Sequence, residues 1–123
     1  MKPMESRRAD RVADVLLHEV AQIFQQEIKD PRIGFITFTA AKVTSDLQHA
    51  RVYYTVLGDA PAREQTRRGL ESATPFVRRE IGQRLRLKSV PELRFQYDET
   101  LERNLRVQEI LEDIGDGSEG TDR

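Results

Sequence analysis

The stretch PFVRREIGQRLRLK, Pro75 to Lys88, places Arg78, Arg79, Arg84, Arg86 and Lys88 close together. At about 100° per residue on a helix, Arg78, Arg79 and Arg86 share one arc, with Gln83 beside them. Val77, Ile81 and Leu85 take a separate, apolar face. Three aligned guanidiniums with only Glu80 as a nearby counter-charge suit phosphates held at fixed spacing. Arg84 lies at the apolar edge, where its stem packs while its head reaches water, and Lys88 closes the run. On an isolated helix the same residues would be a solvated face, with cations favoured near the C-terminus. Further bases shift the balance toward a polyanion ligand: Arg63, Arg67 and Arg68 just upstream, and Arg7, Arg8 and Arg11 near the start of the chain.

Other chemistry has little to work with. There are no cysteines, which removes disulfides, thiolate metal sites and a Cys nucleophile together, and fits a reducing cytoplasm. His18 and His49 stand far apart, and no His/Asp/Glu cluster has metal-ligand spacing. No catalytic set, metal site or cofactor is expected. Asp30, Asp46 and Asp98 read as turn and cap residues. GSEG, Gly117 to Gly120, matches the GxxG pattern of KH domains but lies in an acidic tail, so it reads as a chance match. Tyr53, Tyr54, Phe35, Phe38 and Phe95 offer base-stacking surface but read better as core.

A chain of 123 residues is enough for one domain with one core. No apolar run approaches the ~18 residues of a membrane span, so the expectation is a cytoplasmic protein with no membrane partner. The net charge of −1 conceals a division. From Asp98 onward there are nine acids and three bases, net −6; before it there are 17 bases and 12 acids, net +5. A basic body is the sequence-independent footprint of nucleic-acid affinity.

The elements that must position these cations follow from periodicity. Val12, Val15, Leu16, Val20, Ile23, Phe24 and Ile28 form one helical stripe, starting near Ser6 and ending before Pro31. Arg7, Arg8 and Arg11 occupy its first turns, the unfavourable end for cations. DPRIG, Asp30 to Gly34, is a turn, in which Arg32 positions RNA or braces the backbone. Phe35 to Val43 predicts a strand, TSDLQ breaks it, and the alternation from Ala50 to Val56 predicts an antiparallel partner. Asp59 is a helix cap and Pro61 a first-turn residue; Thr66, Leu70 and Ala73 face inward. Pro75 fits the first turn of a new helix, with Ala73 and Thr74 as junction, so two helices joined at a kink are expected here. Leu93, Phe95 and Tyr97 predict a third strand, and Leu101 to Ile114 a terminal helix. The expected organisation is a domain over residues 1–114 and a disordered acidic tail over 115–123. The class is α+β, in the order α-β-β-α-α-β plus the terminal helix.

The residues RVADVLLHEVAQIFQQEIKDPRIG, then ARVYYTVL, then PFVRREIGQRLRLKSVPELRFQYD resemble the bacterial ribosome-binding factor A family. The resemblance covers roughly Ser6 to Ile114. It implies a type II KH-like fold with a three-stranded sheet and a helix–kink–helix. It also implies a non-enzymatic factor, linked to growth in the cold, that binds the free small (30S) ribosomal subunit. That factor would support late maturation of 16S rRNA or its precursor, including 5′-end processing. The family's kink is typically Ala-x-Gly; Ala73-Thr74-Pro75 keeps the alanine and replaces the glycine with a residue that has no N–H. RNA contact is therefore assigned to Arg78, Arg79, Arg86 and Lys88, with Arg7, Arg8 and Arg11 as a second patch. Arg84, Arg67 and Arg68 are secondary candidates, and a monomer is expected. The competing expectation is an adaptor that binds a ribosomal protein or assembly enzyme through its sheet. An RNA-processing nuclease ranks third.

Overall fold

The structure is a computed structural model and describes residues 4–100. Two helices and three strands follow in the order α1 (Met4–Gln26), β1 (Ile36–Val43), β2 (His49–Val56), α2 (Ala60–Leu85) and β3 (Glu92–Tyr97). The sheet order is β1-β2-β3; β1 runs antiparallel to β2, with a bulge between Phe38 and Ala40. β3 runs parallel to β2, which is possible because α2 forms the long crossover that a parallel pair needs.

Alternation along β2 decides which face is covered. Ala50, Val52, Tyr54 and Val56 are all buried, and the first three meet Leu16, Val20 and Ile23 of α1 and Leu70, Val77 and Ile81 of α2 in one core. Both helices therefore lie on the same face of the sheet, and among the described residues nothing packs over its other face. Phe24 of α1, Phe38 of β1 and Phe95 of β3 pack with ring centroids 5.1 to 6.0 Å apart. Tyr54 meets Tyr97 edge-on, so these strand aromatics are core. Phe35 is 82% exposed, and Tyr53 sits half-exposed on the open face.

The predicted break at Pro75 is corrected: α2 passes through the proline as one helix from Ala60 to Leu85. The order among the described residues is thus α-β-β-α-β. Pro75 lacks one N–H and adds a steric cost of about 3 kcal/mol. The inward stripe Thr66, Leu70, Val77 and Ile81 continues across it and stays buried, so packing on the sheet holds both halves in one helix. Pro75 itself faces solvent, where the carbonyl it leaves unbonded can be hydrated. Thr74 turns its hydroxyl back onto the Leu70 carbonyl at 2.8 Å. The expected Asp59 cap is present, its carboxylate accepting from the Ala62 N–H at 3.1 Å. The predicted terminal helix and acidic tail lie outside the described residues.

The DPRIG turn is fastened to α2. The fully buried Thr66 hydroxyl donates to the Arg32 carbonyl at 3.4 Å and accepts from the Gly34 N–H at 3.3 Å, which satisfies a polar group that would otherwise be costly. One turn along, a Cβ at Gly69 would stand 2.6 Å from Ile33 Cγ1. Gly69→Ala gains helix propensity of roughly 1 kcal/mol but forces the turn off the helix. We expect a net loss of about 1–2 kcal/mol, measured by urea denaturation.

Candidate nucleic-acid interface

The predicted basic stripe separates once side-chain partners are seen. Arg78 is half-buried and donates to two backbone carbonyls, Nε to Pro91 at 3.0 Å and Nη2 to Val90 at 3.0 Å. It pins the segment that leads into β3. Arg84 is surrounded by acids: Nη1 lies 2.9 Å from Glu19, Nη2 bonds Glu27, and Nε lies 3.5 Å from Glu80. This cluster joins α1 to α2, and the Glu19 hydrogen bond foremost raises the guanidinium pKa further. Its charge is locally balanced.

Arg67 binds Glu64 and Glu71, each at 2.7 Å, and Arg68 binds Glu64 at 3.1 Å. Hydrogen bonds from Arg67 first, then Arg68, hold the Glu64 carboxyl down to about 2. Arg63 stacks over the Tyr97 ring, 3.7 Å from its centroid. Arg32 braces the turn, with a fork of hydrogen bonds onto Asp30 at 2.7 to 3.3 Å and its own N–H on the same carboxylate at 2.9 Å. Of the two roles open to Arg32 in the sequence, this is the structural one.

Of the predicted cations, those left available are Arg79, Arg86 and Lys88 at the end of α2, and Arg7, Arg8 and Arg11 at the start of α1. All six are exposed, and their side chains make no ion pair or hydrogen bond among the described residues. Arg79 also lies 5.8 Å from the Phe76 ring centroid. The two groups are separate. Arg84 contacts α1 between Glu19 and Glu27, whereas Arg7 to Arg11 lie roughly 20 Å further back along the α1 axis at about 1.5 Å per residue.

Arg86 has an unusual backbone. It closes α2 in the left-handed region, φ 54° and ψ 45°, and the Leu87 N–H reaches back to the Gly82 carbonyl at 3.2 Å. Such closures favour glycine, because a Cβ is strained there. A Cβ on Gly82 would meet Val90 Cγ2 at 2.6 Å, so the tight approach of the next segment also depends on the glycine at 82. A strained arginine in place of the preferred glycine points to a use for its side chain. Arg86→Gly should raise stability by about 0.5–1 kcal/mol while removing one cation available to phosphate, and a thermal melt paired with a polyanion-binding titration separates the two effects.

Sequence reasoning passed over a third set of cations. On the open face of the sheet, Lys42 of β1 pairs in register with Arg51 of β2, and Arg51 with Arg94 of β3. All three are exposed. The signal was an outward base on each strand, but aligning them needs the register of a parallel pair that the sequence does not display.

One concavity, about 1350 Å³, lies between the end of α1, the DPRIG turn and β1, and none of the arginines and lysines described above lines it. Its walls are mainly apolar. Of its carboxylates, Asp30 is engaged by Arg32, and Asp98 accepts from the Thr39 hydroxyl at 2.6 Å. Among the described residues no cluster of His, Asp and Glu could hold a metal ion, and no helix is long and apolar enough to cross a membrane.

Comparison with known proteins agrees with this architecture. The family model described as ribosome-binding factor A matches residues 8–111. The ribosome-binding factor A of Geobacter sulfurreducens is 50% identical over 107 residues, covering 87% of this chain and 91% of that protein. The solution NMR structure of a Thermotoga maritima protein superposes with a TM-score of 0.69 at 32% identity, covering 83% of this chain and 95% of that one. A Thermus thermophilus ribosome binding factor A model, fitted into the cryo-EM map of a 30S–RbfA complex, superposes at 0.62 with 22% identity, covering 73% and 94%; at that identity it speaks for the fold alone. With half its residues shared over nearly the whole of a curated relative, and the same two helices on a mixed sheet, this chain belongs to the ribosome-binding factor A family.

Proposed function

We propose that this protein binds the free small ribosomal subunit as a monomer and supports late maturation of 16S rRNA, including 5′-end processing, with growth in the cold as the condition of greatest need. It acts in the cytoplasm, by binding and without catalysis. The observation that carries this is the set of exposed cations with no acidic partner among the described residues, Arg79, Arg86 and Lys88 with Arg7, Arg8 and Arg11, in a chain of this family. Lys and Arg held out to solvent supply phosphate affinity, whereas the concavity's carboxylates are committed to a turn brace and a hydroxyl. Membership of the ribosome-binding factor A family, a member of which was fitted into the map of a 30S complex, supports the choice of subunit.

The KH-like identity of the fold belongs to the same proposal. Both helices cover one face of the sheet, and Pro75 lies where a KH domain would divide its helix pair. With no N–H at that position, contact passes to side-chain charge. Sedimentation of the tagged chain against free small subunits and intact ribosomes tests the proposal. Co-migration with the free small subunit alone is expected, and equal co-migration with intact ribosomes or with neither would reject it.

A further inference from the structure

The open face of the sheet carries two adjoining rows of different chemistry. The first is Lys42–Arg51–Arg94, in register across all three strands. The next outward row is Ala40–Tyr53–Gln96, roughly 7 Å away along the strands. Neither helix covers this face. Strands stand about 4.8 Å apart, and like charges directly opposite one another destabilise a sheet. Three cations in one row are therefore a local cost, and among the described residues none of the three forms an ion pair with an acid. Glu92, in the neighbouring row, lies 3.3 Å from His49 Nδ1 and lines the same shallow concavity of about 380 Å³ as the three bases.

The neighbouring row supplies what a phosphate patch alone lacks. Tyr53 stands beside Ala40, which is too small to cover its ring, and Lys42 Nζ lies 5.9 Å from that ring's centroid. Guanidiniums match phosphate geometry, and an aromatic ring on an open sheet takes a base of any identity provided it is unstacked. Duplex RNA does not present its bases this way, whereas single strands do.

We propose that this sheet face is a second RNA-binding surface, at which Lys42, Arg51 and Arg94 hold the backbone of a single-stranded ribosomal RNA segment and Tyr53 stacks on one of its bases. The inference rests on the small-subunit RNA-binding function proposed above and adds a surface to it. Contact through the ends of the helices and contact through the sheet are independent, so each can fail alone.

The test uses the full chain against three probes: a labelled twelve-nucleotide oligouridine, protein-free 16S rRNA and purified free small subunits, each titrated over a salt series. The variants are K42Q/R51Q/R94Q, Y53L, Y53F, and R79Q/R86Q/K88Q for comparison, with circular dichroism confirming the fold of each. Removing the row should flatten the log–log salt slope on oligouridine by about 2, since each single-strand phosphate contributes about 0.7. Y53L should weaken oligouridine binding about tenfold, and Y53F should bind as the parent does. Unchanged oligouridine and 16S binding in the row variant, with R79Q/R86Q/K88Q impaired, overturns this surface and leaves the proposed function standing. Loss on small subunits alone, with naked RNA unaffected, overturns it in favour of an acidic protein partner. A salt-independent parent protein would reject the proposed function, and this surface with it.

Discussion

Replacing Arg79, Arg86 and Lys88 together with glutamine is expected to weaken binding to free small subunits about a hundredfold near physiological salt. Each phosphate neutralised on a duplex contributes about 0.9 to the slope of log affinity against log salt. Three such contacts should remove roughly 2.7 from that slope and, carried from molar salt to about 0.15 M, a factor of order 10². The contrast that gives this result meaning is R67Q/R68Q/R84Q, which removes the same formal charge. Those guanidiniums already face Glu64, Glu71, Glu19, Glu27 and Glu80. Their loss should change the slope by less than about one, because a cation already paired with a carboxylate releases few counterions when a phosphate arrives. Titration of both triple variants in parallel distinguishes availability of charge from quantity of charge.

The second large effect is on stability. Arg78→Ala should cost about 2–3 kcal/mol, because it removes two charge-assisted hydrogen bonds and leaves the carbonyls of Val90 and Pro91 without their donors. For a domain of this size that lowers Tm by roughly 10 °C, read by calorimetry or thermal circular dichroism. Arg78→Lys should recover part of the loss, since an ammonium can reach one carbonyl but lacks the planar fork that spans both. Below its melting temperature, the alanine variant should keep nearly the parent salt slope. A variant of unchanged stability and reduced slope would return Arg78 to the phosphate-binding set.

Arg78 also shows where the sequence stops being legible. Helical periodicity put it on one arc with Arg79 and Arg86, but its partners are carbonyls twelve and thirteen residues away on the segment before β3. Arg84 is the same case at longer range, meeting an acid 65 residues away on α1 and one 57 residues away just past its end. The Arg67 and Arg68 pairs were different: Glu64 and Glu71 stand three and four residues away, a spacing that signals ion pairs within the sequence itself. The apolar stripe of α1, the antiparallel hairpin and the Asp59 cap were readable because each rests on neighbours in sequence. Pro75 was misread because local chemistry argues for a break, while the continuous buried stripe from Thr66 to Ile81 overrides it through tertiary packing. The cationic row on the sheet needed the parallel register of β2 and β3, which depends on how α2 carries the chain back across the sheet.

What unites these findings is a division of the arginines. Those spent inside the fold fasten the segment before β3, join α1 to α2 and brace the DPRIG turn. Those left outside cluster at two helix ends and on the open sheet face. The strained backbone of Arg86 belongs with the second group.

The most direct test of the central claim is the salt dependence of the parent protein's binding to purified free small subunits, followed from about 50 to 500 mM monovalent salt. Six exposed helix-end cations engaging phosphates predict a log–log slope of about −4 or steeper. A slope near zero over that range would contradict the account, because binding would then rest on contacts other than these cations.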